Sequence, residues 1–156
     1  MNSDELLEYL HGAVVLAVGT RDEKLRPDVA WGMGVKAAPG AKSLTIYIPD
    51  NENEQTLKNI ASNGAIAVTV GEPVTHKTVQ IKGTVTAHRP TDSAEQGIQE
   101  IYRSKITAML DQVGIGGKHA RYRRLTPSTA VEFSVEQIFD QTPGPGAGEP
   151  LELTDS

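Results

Sequence analysis

The sequence contains no cysteine. That excludes disulfides, thiolate metal sites and cysteine nucleophiles, and it agrees with a reducing, cytoplasmic setting. Long apolar runs are also missing: no stretch approaches the ~20 residues that a membrane-crossing helix needs. The N-terminus, Met1-Asn2-Ser3-Asp4-Glu5, is acidic, whereas a signal peptide starts basic and then runs apolar. Basic charge is in short supply. The 15 Lys and Arg residues stand against 20 Asp and Glu, a net charge of −5, which argues against a nucleic-acid partner.

Several chemical signatures are absent too. The four histidines, His11, His76, His88 and His119, share no metal-type spacing and read as surface or capping residues. No serine sits in a nucleophile-elbow pattern. Gly114-Ile115-Gly116-Gly117 follows a helix rather than a strand and lacks the Lys-Ser or Lys-Thr ending of a phosphate loop. Carboxylates are numerous, but no pair stands out.

What remains is an ordinary globular composition: 156 residues, 38% hydrophobic and 22% charged. That length suits one domain able to bury roughly 70% of its unfolded surface. Ser3 is placed to cap a first helix whose Leu6, Leu7 and Leu10 share a face, with His11-Gly12 at its end. Six strands are predicted. They span Ala13 to Thr20, Pro27 to Lys36, Ser43 to Ile48, Ala65 to Val70, His76 to His88 and Thr129 to Phe139. In the second strand Val29, Trp31, Met33 and Val35 alternate with Ala30, Gly32 and Gly34. One face is nearly bare of side chains, which marks close approach by a ligand or by another part of the protein.

Asn51 or Asn53 is placed to cap a short helix carrying Leu57, Ile60 and Ala61, stopped by Asn63-Gly64. Asp92 with Glu95 forms a capping-box pattern before a long helix that carries Ile98, Ile101, Ile106, Met109, Leu110 and Val113. The basic cluster from Lys118 to Arg124 reads as a solvated face or as an anion site. Residues 143–156 form a Pro/Gly-rich tail, read as mobile or draped on a partner, beyond a 1–142 domain. The fold class is α+β, mainly β: a six-stranded antiparallel barrel with flanking helices.

The segments "VAWGMGVKAAPGAKSLTIYIPD", "LKNIASNGAIAVTV" and "HKTVQIKGTVTAHRP", followed by a long helix, resemble the pyridoxamine 5′-phosphate oxidase-like split-barrel superfamily. The resemblance implies a homodimer with flavin mononucleotide (FMN) at the interface, acting on a small-molecule substrate. Relatives take a deazaflavin or haem instead. On this resemblance the cofactor lies along Trp31, Gly32, Met33, Gly34, Val35 and Lys36, with Pro49 and Asp50 bordering it and Thr78 helping to hold it. The positions matching the usual phosphate contact are Gln55 and Thr56, where family members place a basic residue. Glu52 and Glu54 precede them, which opposes a phosphate. The resemblance therefore implies an FMN-dependent oxidoreductase. The alternative it leaves open is a non-catalytic binding protein for haem, a deazaflavin or another anionic ligand. Trp31 is read either as an interface or core residue or as a surface that stacks on the ring.

Overall fold

Among the described residues, the alternating segments form seven strands: β1 (Val15–Arg21), β2 (Pro27–Trp31), β3 (Val35–Ala37), β4 (Ser43–Pro49), β5 (Ala65–Gly71), β6 (Thr78–Pro90) and β7 (Ser128–Asp140). The computed structural model describes residues 1–115 and 125–154. Every ladder is antiparallel, and the sheet order is β2-β1-β5-β6-β7-β4-β3. The two end strands are consecutive in the chain. Residues 32–34 therefore carry the chain from one edge of the sheet to the other and close it into a barrel.

Here the structure corrects the single strand expected over Pro27 to Lys36. The Gly32 N–H donates to Leu16 of β1 at 2.8 Å, while the Met33 N–H donates to Tyr47 of β4 at 2.7 Å. Tyr47 in turn donates to the Gly34 carbonyl at 3.1 Å, so Met33 and Gly34 together stand opposite one residue, as in a bulge. A strand that changes partners must break its regular geometry, and Gly34 does so at φ +126°. The bare glycine face is filled from within the protein. A Cβ on Gly32 would lie 3.0 Å from the Leu16 Cβ and 3.1 Å from the Ile46 Cγ2. The strand count becomes seven, and the mainly-β α+β class stands.

Inward residues of the strands form the core. Leu16, Val18, Ile46, Val68, Val79, Ile81, Val131 and Phe133 are all buried, each full burial contributing about 1.5–3 kcal/mol. Among the described residues, three α-helices cover the barrel. In α1 (Ser3–Leu10) the cap is Asn2 rather than Ser3: Asn2 accepts from the Glu5 N–H at 2.8 Å, and the Glu5 carboxylate accepts from the Asn2 N–H at 2.9 Å. Helix α2 (Glu54–Asn63) follows Asn53 and ends at Gly64, φ +70°. Helix α3 (Ser93–Gln112) starts with the expected Asp92–Glu95 capping box. It buries Ile106, Met109 and Leu110, but Ile101 is 60% exposed.

The tail lies on its own chain. Asp140 and Gly148 turn it back, with the Leu151 N–H donating to Ile138 at 2.8 Å and the Ser3 N–H to Thr154 at 3.2 Å. Leu151 and Leu153 pack on the core. The basic cluster, Lys118 to Arg124, falls outside the described residues. Among those described, no helix is long and apolar enough to cross a membrane, and no group of acidic residues and histidines could hold a metal ion.

Candidate functional site

Strand alternation sorts the 27–36 segment into two sides. Asp28 and Ala30 turn inward, while Val29 and Trp31 project outward and are exposed, Trp31 at 40%. Past the crossing, Met33, Gly34 and Val35 are buried and Lys36 is exposed again. Of the six expected contact residues, Trp31 and Lys36 thus show side chains to solvent. Beside Trp31 the sheet carries small residues: Ala17 and then Thr69 stand in its row, and Gly19 and Ala67 fill the neighbouring row beside Val29. Val35 and Lys36 line a cavity of about 240 Å³ between β3, α1 and α3.

Pro49, Asp50, Gln55 and Thr56 are gathered at the start of α2. The Asn53 side chain donates to the Pro49 carbonyl at 2.8 Å, and Asp50 accepts from the Thr129 hydroxyl at 2.7 Å. Gln55 and Thr56 then part ways. Gln55 is exposed, donates to Asn59 at 2.8 Å, and faces an open groove with Lys24, Arg26 and Lys58. Thr56 is fully buried, and its hydroxyl donates to Asp28. Asn59 donates to Thr20 at 3.1 Å, so Thr20, Asp28, Thr56 and Asn59 make a polar layer that fastens α2 to β1 and β2. Sequence reasoning missed Asp28. The signal was its place on the inward phase of β2, where a carboxylate needs a donor.

Thr78 lies elsewhere. It opens β6, three strands from β2 in the sheet, with its N–H bonded to the Thr142 hydroxyl at 3.1 Å. One chain alone does not bring it to the 31–36 segment.

A second polar layer, also missed, lies under α3. Arg89 grips Glu95 with two bonds of 2.8 Å, and Gln99 donates to Ser128 at 3.0 Å. The hydrogen bonds from Arg89 hold the Glu95 carboxyl below its ordinary range. The Tyr47 hydroxyl is buried beside this layer with no hydrogen-bond partner among the described residues. Burial, then the charges of Glu95 and Asp92, push its pKa up to about 12. Tyr47 therefore stays protonated at neutral pH. Around the crossing the protein offers backbone edges, an indole and an ammonium, a set suited to holding a ligand rather than to moving protons.

Comparison with known proteins agrees with this architecture. A family model, pyridoxamine 5′-phosphate oxidase, matches residues 3–142. No curated protein sequence matches. Among solved structures, HupZ of Group A Streptococcus is similar at a TM-score of 0.57 and 19% identity, over 95% of this chain and 100% of that one. An F420 reductase matches at 0.55 and 15%, over 84% and 93%. HutZ, the haem-storage protein of Vibrio cholerae, matches at 0.52 and 16%, over 90% and 95%. At these identities the likeness is one of fold. With the family model spanning nearly the whole barrel, the chain belongs to the pyridoxamine 5′-phosphate oxidase family.

Proposed function

We propose that this chain forms a homodimer that holds a flavin-type ring along Trp31–Lys36 and serves as an oxidoreductase on a small-molecule substrate. The barrel crossing carries this reading. Strands β2 and β3 each have a sheet neighbour on one side only, so each keeps an open backbone edge on either side of residues 32–34, which bond to both β1 and β4. An exposed indole and an exposed ammonium flank it. A flavin supplies the redox chemistry when bound; the protein contributes position and electrostatics. In this reading Trp31 covers the ring, Lys36 supplies positive charge, and Pro49 and Asp50 border the site. Thr78 comes from a second copy, since two strands, β1 and β5, separate it from Trp31 in its own chain.

The phosphate of FMN does not fit the start of α2. Thr56 is buried and its hydroxyl serves Asp28, while Glu52 and Glu54 add negative charge. Lys24, Arg26 and Lys58 line the groove that Gln55 faces, but so do Asp22 and Glu23, and Arg26 is already paired with Asp22 at 2.7 Å. This observation favours a second reading, a non-catalytic split-barrel protein that carries haem, a deazaflavin or another anionic ligand. The solved relatives include a protein named as a haem-storage protein and one named as an F420 reductase.

An absorption spectrum after mixing with excess FMN and gel filtration decides between them. Retention near one flavin per chain supports the oxidoreductase. Protein that emerges colourless removes FMN and puts the second reading first, to be followed by titration with haem and a deazaflavin.

A further inference from the structure

The cavity beside β3 runs from the 31–36 segment into a hollow walled by α1 and α3. Its walls are mostly apolar: Leu10 from α1, Val35 from β3, and Ile98 and Tyr102 from α3. Ile101 stands at the same place on α3, largely exposed. Among the described residues, Lys36 and Lys105 line it together with His11, and no carboxylate does so. In a chain with a net charge of −5, that is a local reversal of sign.

The two ammonium groups are not equivalent. Lys105 donates to the His11 carbonyl at 2.6 Å, which caps the C-terminal end of α1 and fixes the lysine in place. An ammonium has three donors, so this bond leaves two for another acceptor. Lys36 makes no direct ion pair among the described residues; its charge reaches the Glu95 carboxyl and helps hold it below its ordinary range, which leaves the ammonium's own donors for an acceptor in the cavity. The volume, about 240 Å³, is below the usual range for drug-sized ligands.

We infer that this cavity binds a small organic anion, a carboxylate on a compact aromatic or branched apolar body. The apolar part lies against Leu10, Val35, Ile98 and Tyr102, and the carboxylate meets Lys36 and Lys105. The site shares Val35 and Lys36 with the segment proposed to hold the flavin, and takes its other walls from α1 and α3 rather than from α2, β4 or β6. Tyr102 nevertheless reaches the crossing: a Cβ on Gly34 would lie 3.6 Å from the Tyr102 Cβ. An occupant would therefore sit next to the 31–36 segment.

Benzoate and its uncharged analogue benzyl alcohol test this by amide chemical-shift titration of the intact protein. Benzoate is expected to give saturable shifts confined to residues 10–12, 35–36 and 98–105, with benzyl alcohol weaker by about ten-fold or more. Lys36→Ala, at an exposed position, is expected to weaken benzoate by about ten-fold and to leave benzyl alcohol nearly unchanged. Ile101→Glu, also exposed, places a carboxylate at the cavity and is expected to abolish benzoate binding. Shifts scattered over the surface, equal affinity for the two compounds, benzoate binding untouched by Lys36→Ala, or no binding at all would each overturn the assignment.

Discussion

At Gly83 the backbone of β7 leaves no room for a side chain. A Cβ there would fall 1.7 Å from the Ser134 carbonyl oxygen, where the β6–β7 register slips. Gly83→Ala is expected to destabilise the protein by about 3 kcal/mol or more, read from urea unfolding, because the obstacle is backbone and cannot rotate away. Tyr47 gives the opposite sign. Its buried hydroxyl has no partner among the described residues, so Tyr47→Phe is expected to leave stability unchanged or raise it by up to about 1 kcal/mol in the same measurement. At the start of α2, Thr56→Val removes the donor that satisfies Asp28 and is expected to cost about 1–3 kcal/mol. Gln55→Lys adds a cation at an exposed position and is expected to raise FMN affinity by roughly ten-fold in a fluorescence titration. The difference between these neighbours could not be read from the sequence. Both are polar, and which one turns inward depends on how α2 docks against β2.

At the scale of elements, α3 begins with charge. Glu95 closes the capping box and is gripped by Arg89. Its pKa is depressed by folding, chiefly through the Arg89 hydrogen bonds. The stabilisation is therefore fully present above the ordinary Glu value of 4.5 and is lost as pH falls through the lower folded value. Thermal unfolding scanned from pH 7 down to pH 3 is expected to show a drop below about pH 4.5 that Glu95→Gln flattens. The box itself was legible, since Asp92-x-x-Glu95 is a local pattern; Arg89 was not, because its partnership crosses from a strand to a helix. The tail was misread for a related reason. Its Pro and Gly residues exclude regular structure, yet two leucines beyond them reach the core. Removing residues 149 onward is expected to cost about 2–4 kcal/mol, measured by chemical denaturation.

At the scale of the molecule, the proposed dimer has a surface to match. Val29 and Trp31 stand exposed beside the small side chains of Ala17, Gly19, Ala67 and Thr69, a face flat enough for a second copy to approach. Val29→Lys combined with Trp31→Glu is expected to give a monomer by light scattering after gel filtration; an unchanged mass would place the interface elsewhere. The strands themselves were legible because their alternation is strong. The closure was not. Pro27 to Lys36 reads as one strand, and only the change of partner at Gly32-Met33-Gly34 reveals that it joins both edges of the sheet.

Strand β7 has a consequence for how the protein is made. It lies between β6 and β4 in the sheet, although it is the last strand in the chain. On the ribosome, β1 through β6 emerge before the strand that separates β4 from β6, so the nascent barrel stays open along two unpaired edges. Those edges are where a growing chain is most exposed to wrong pairing with its neighbours. Arrival of Ser128–Asp140 fills both at once, so closure of the barrel waits until this strand has emerged.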